Sequence, residues 1–183
     1  MYEQMLLLHG APTLAGMKTG SLFTCPFRSG QDMRCCLRRW NRALVGKGLR
    51  ALPLRHQAGK TLVYIYRRSG LLQDLQRPEA QALLRARGYC CHNPEGCILR
   101  LMERLEEAGE FPHEIGLFLG YPPEDVRGFI ENKAGGFKCA GCWKVYGDPA
   151  RAEALFAKYR RCTQAYCSQY AKGVPLDRLA IAG

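Results

Sequence analysis

His113 and Glu114 stand side by side at the mouth of an apolar run, FPHEIGLFLGYPPEDVRGFI, where an imidazole and a carboxylate offer acid and base chemistry near neutral pH. Their spacing limits that chemistry. Adjacent residues of a strand face opposite ways, so the two make no direct dyad. Leu117 stands where an HExxH zinc motif needs its second histidine. Glu114 and Gly116 share a strand face, and the glycine leaves room for a ligand or another backbone. A carboxylate buried there needs a cation or donors, and Lys18, Arg67 and Lys144 are the cations considered. The competing reading is a structural ion pair under the sheet with a surface histidine.

Other residues with chemical reach are scattered. HGAPTLAGMKTG carries His9, Thr13 and Lys18 with two glycines, a loop suited to an anion held by backbone N–H groups and Lys18. It lacks the GxxxxGK[ST] spacing of a P-loop, and neither GxGxxG nor GxSxG occurs. Lys144 and Tyr146 alternate with Trp143 and Val145, which puts an amine and a phenol on one strand face. Tyr121, in the GYPP corner, has a ring able to stack on a flat ligand. Glu124 and Asp125 follow it and repel phosphate from that helix start.

Ten cysteines raise a metal or redox alternative. Cys139 and Cys142 form a CxxC, but Cys162 and Cys167 are spaced i, i+5 on a helix, which points them apart. Cys90, Cys91, His92 and Cys97 form a second group with no ferredoxin spacing. No metal ligand is assigned on this basis, since buried free cysteines are ordinary core residues. Arg34, Arg38 and Arg42 line one helix face, with Lys158, Arg160 and Arg161 on a later helix. A nucleic-acid backbone is one partner for such a row, but no recognition motif accompanies it, and a solvated basic face is favoured.

The elements that must position these groups follow from pattern. A short first helix spans Tyr2 to Leu8, and APTLAGMKTG reads as a loop into a strand at Ser21–Cys25. Ser29 and Asp32 open a helix whose apolar stripe is Met33, Cys36, Leu37, Trp40 and Leu44. RALPLRH and KTLVYIYRR form a hairpin about Gln57-Ala58-Gly59. Helices are expected in LLQDL, from Pro78 to Gly88, from Asn93 to Gly109, in EDVRGFIENK, and from Asp148 to Gly173. Glu114–Leu119, apolar on both alternating faces, reads as a central strand covered on both sides. Trp143–Tyr146 and DRLAIA add short strands. The sum is an α/β or α+β domain over residues 1–183, with a mixed sheet of about six strands flanked by helices.

HGAPTLAGMKTGSLF, LVYIYR, FPHEIGLFLGYPPEDVRGFIENK and GCWKVYGD together resemble an uncharacterised bacterial family, the domain of unknown function numbered 3793. The resemblance is collinear over nearly the whole chain. It implies a common framework that includes His9, Thr13, Lys18, Arg67, His113, Glu114, Tyr121, Lys144 and Tyr146, and it implies no activity. Most cysteines fall outside these phrases.

The formal charge is +11, from 27 Lys and Arg against 16 Asp and Glu, which favours anionic partners. No apolar run reaches membrane-spanning length and no secretory leader is visible, so a cytosolic location without membrane contact is expected. The functional expectation is a protein that binds a small anionic ligand: a nucleotide, a coenzyme or a phosphorylated metabolite. His113 or Glu114 would supply any acid/base chemistry, and no particular cofactor is indicated.

Overall fold

Three strands form the centre: β1 (Gly20–Cys25), β2 (Leu49–Gln57) and β3 (Lys60–Arg67), the last buried on both faces. They make an antiparallel sheet in the order β1-β3-β2, with Gly20 opposite Tyr66 and Leu49 opposite Arg67. Ala58 and Gly59 close the hairpin, both at positive φ (50° and 72°), as a two-residue turn matched to strand twist requires. Along each strand the pleat sends alternate side chains to opposite faces. Phe23, Ala51, Val63 and Ile65 enter one apolar cluster, and Leu22, Leu52, Tyr64 and Tyr66 enter another. The computed structural model describes residues 2–90, 93–107 and 109–183.

On the Val63 face lie α1 (Tyr2–Leu14) and α2 (Gly30–Leu44). The Ser29 hydroxyl caps α2 by accepting the Asp32 N–H at 3.1 Å, and Cys36, Leu37, Trp40 and Leu44 are its buried stripe. The Tyr64 face is covered by α3 (Arg68–Leu75), α4 (Pro78–Arg85), α5 (Pro94–Glu106), α6 (Ile115–Phe118) and α7 (Pro123–Glu131). A two-stranded ribbon follows, β4 (Cys139–Ala140) against β5 (Lys144–Val145). Its Val145 packs with Ala152 and Phe156 of α8 (Pro149–Ala171) in a small third cluster. α8 then lies along α1, and α9 (Leu176–Leu179) returns to the Val63 face. Among the described residues no helix is long and apolar enough to cross a membrane.

The architecture is mixed α/β, but among the described residues the sheets have three strands and two, not the single sheet of about six expected. Glu114–Leu119 is no central strand. It forms the single helical turn α6, and each residue from Glu114 to Leu119 is buried. A short segment buried on all sides has no polar face, so its apolar run cannot distinguish strand from helix. DRLAIA contains the end of α9 and an extended tail whose Ile181 N–H reaches the Leu14 carbonyl.

The first helix also exceeds expectation, running through Pro12 to Leu14. It closes in a Schellman turn: Gly16, at φ 72°, donates to the Thr13 carbonyl and Met17 donates to that of Pro12. Pro12 has no N–H to give the Leu8 carbonyl, so the helix continues through it with one backbone bond fewer.

Candidate functional site

Lys18 leaves the Schellman turn of α1 just before β1, and its side chain is half-buried. Its Nζ sits 5.1 Å from the centroid of the Tyr121 ring. No acceptor in the described residues takes a hydrogen bond from it, and no carboxylate pairs with it. Burial pushes the ammonium down to about 8, with Cys142 pulling weakly the other way. Lys18 opens on a cleft of about 380 Å³ between α1 and α8, where His9, Cys142, Tyr159, Arg160 and Thr163 join it. No carboxylate lines this cleft. His9 stacks on Phe23 with centroids 5.6 Å apart, and burial lowers its pKa, which favours a neutral imidazole at pH 7. The Tyr159 hydroxyl donates to the Met17 carbonyl at 3.3 Å, and burial pushes its pKa up to about 12. The Cys142 thiol is raised by burial, against the pull of Lys18 and Arg160.

A second cleft, also about 380 Å³, lies beyond Tyr121, between α7 and the β4–β5 ribbon. His113, Tyr121, Phe129, Trp143 and Lys144 wall it. Tyr121 and Trp143 stack at 4.5 Å, and His113 leans on Phe129 at 4.7 Å. Asp125 builds this region. One of its oxygens accepts the Trp143 indole N–H at 2.7 Å, and the other accepts the N–H groups of Tyr146 (2.7 Å) and Gly147 (2.8 Å). At Gly141 a Cβ would overlap the Phe156 ring, so the ribbon approaches α8 only because that position is bare.

The candidate residues thus divide between neighbouring clefts and do not share one cavity. His9 and Lys18 meet in the first; His113, Tyr121 and Lys144 meet in the second. Tyr121, beneath Lys18, is the seam between them. Thr13 is buried, its hydroxyl 2.9 Å from that of Ser21. Arg67 donates from Nε to the Thr13 carbonyl and from Nη2 to those of Leu14 and Ile181, each at 2.7 Å, so it holds the end of α1 to the C-terminal tail. The Tyr146 hydroxyl donates to the Gly135 carbonyl at 2.8 Å.

Glu114 is 1% exposed and takes the structural ion-pair role. Arg104 Nε lies 2.5 Å from one of its oxygens, the Tyr89 hydroxyl donates to the same oxygen at 2.9 Å, and Arg87 is 3.7 Å from the other. Its cations are therefore Arg104 and Arg87, not Lys18, Arg67 or Lys144.

Among the described residues no group of three or more His, Cys, Asp or Glu side chains is placed to hold a metal ion. Cys139 has Glu153 and Asp125 as charged neighbours, whereas Cys142 has Lys18 and Arg160. Cys90 and Cys97 are described, but Cys91 and His92 lie outside the described residues. Arg34, Arg38 and Arg42 are exposed on α2, beside an Arg39–Glu3 pair at 3.2 Å.

Sequence reading missed Asp125 as the organiser of the ribbon, and missed Tyr159 and Arg160 as cleft walls. Asp125 carries a faint signal, an acid beside Val126 on the buried stripe of α7. Arg160 carries none, because only the packing of α8 on α1 brings it to Lys18. No curated protein and no solved structure matches the chain. Residues 6–180 match the family described as protein of unknown function (DUF3793), and the chain belongs to that family.

Proposed function

We propose that the protein binds a small anionic ligand, such as a phosphorylated metabolite or the phosphate end of a nucleotide or coenzyme, in the Lys18 cleft. The supporting observation is the half-buried Lys18 amine with no acceptor, in a cleft walled by Arg160 and His9 and free of carboxylates. A cation removed from water and left unpaired is costly, and an aromatic face offsets only part of that cost, about 1 kcal/mol. An anion offsets the rest. The adjoining cleft around Asp74, Glu124 and Asp148 also touches Lys18, but its carboxylates oppose an anion. The +11 charge adds long-range attraction. With its pKa brought down to about 8, Lys18 is also able to exchange a proton near neutral pH.

Differential scanning fluorimetry with inorganic phosphate, pyrophosphate and AMP tests the reading. At least one should raise the melting temperature saturably, with about 2.7 kcal/mol of stabilisation at a hundredfold excess over Kd. Lys18→Met should remove the effect. Stabilisation kept in that variant, or no response to any of the three, means the reading is wrong.

A further inference from the structure

The cleft between α7 and the β4–β5 ribbon adjoins the Lys18 cleft across Tyr121 and Cys142, but its chemistry is different. Its walls are rings: His113, Tyr121, Phe129 and Trp143. A volume of about 380 Å³ is at the small end of ligand sites and suits a fused two-ring system. Asp125 is the carboxylate of the lining, but both its oxygens already accept backbone or indole N–H groups.

Lys144 is the cation of the lining. Its Nζ donates to the Ala134 carbonyl at 2.7 Å and lies 4.7 Å from the Phe137 ring centroid and 5.8 Å from that of Phe129. No carboxylate pairs with it among the described residues. An ammonium has three protons and one of these is committed here, so charge and donors remain for a ligand.

We infer that this cleft binds a planar aromatic molecule bearing a carboxylate or similar anionic substituent, with the rings against the aromatic walls and the anion at Lys144. The apolar enclosure supplies the ring site, and Lys144 supplies the charge complement. A neutral ring compound would gain only the first contribution, and a simple anion only the second. The ligand is thereby distinguished from phosphate at Lys18.

Trp143 reports on this site, because the only other tryptophan, Trp40, is fully buried on the inner face of α2. In a Trp40→Phe background, 2-naphthoate should quench Trp143 emission saturably and bind roughly fivefold more tightly than neutral 2-naphthamide. Lys144→Met should bring naphthoate to the affinity of naphthamide. Ala140→Phe, which fills the cleft from the exposed ribbon, should abolish quenching by both. The Lys18 reading is tested by phosphate with Lys18→Met and this one by naphthoate with Lys144→Met and Ala140→Phe, so the two fail separately. Heat stabilisation of the unaltered chain by the same two compounds should give the same ranking, should the Trp40 variant fold poorly. Absence of saturable quenching or stabilisation at millimolar naphthoate overturns the inference. So does equal binding of the two compounds, or binding indifferent to Ala140→Phe.

Discussion

Lys18 and Glu114 show two fates of a charge taken from water. Glu114 is wrapped by Arg104, Arg87 and the Tyr89 hydroxyl, so its burial is compensated within the fold. Removing that carboxylate leaves two guanidinium groups facing a hole. Glu114→Ala should cost about 3 kcal/mol of stability, read from urea denaturation, with no specific change in phosphate affinity. Lys18 is uncompensated. Its folded pKa, about 8, lies below the unfolded value of 10.5, so between those pH values the unfolded chain binds more protons and stability rises with pH. Lys18→Met should lack that contribution, visible as a difference in the slope of stability against pH from 8 to 10.5. The same variant should be more heat-stable than the parent at pH 7 without ligand. Anion affinity should run the other way and fall as pH rises through 8, because the ligand needs the ammonium.

At the scale of elements, the β4–β5 ribbon is the smaller of the two sheets. It consists of two bonded residue pairs and is attached through Asp125 to α7 and through Val145 and Phe156 to α8. Asp125→Ala leaves three N–H donors without their acceptor, a loss of about 3 kcal/mol in local attachment. Hydrogen exchange should accelerate over residues 139–147 and leave β3 protected. Gly141→Ala should do the same by forcing the ribbon off Phe156. Both changes move Cys142 and Trp143, so both should weaken ligands at either cleft. α1 has the opposite character, because its end is fastened by the Schellman turn and by Arg67. Lys18 is thus set on rigid backbone, which lowers the ordering cost of binding.

Across the whole molecule, two apolar clusters on opposite faces of one small sheet make β3 the shared wall. Val63 and Ile65 look one way, Tyr64 and Tyr66 the other. Amide exchange should therefore be slowest in β3, where both clusters must open together, and fastest in the ribbon and the tail after α9. The clefts lie at the other end of that gradient, where α8 and the ribbon meet α1 and α7. Ligand at either should raise protection in the ribbon before it affects the sheet.

Local chemistry decided what the sequence alone could establish. Ser29, Asn93 and Asp148 mark three helix starts because each side chain caps a backbone N–H within three residues, and the β2–β3 hairpin follows from alternation around Ala58-Gly59. Family membership was legible in the same way, from contiguous phrases. The α6 turn was not, since burial on every side erases the periodicity that separates helix from strand. Tertiary structure alone placed Arg104 on Glu114, Arg160 beside Lys18 and Asp125 under the ribbon. Each pairing depends on how separate elements pack, and residue spacing along a chain carries no record of that.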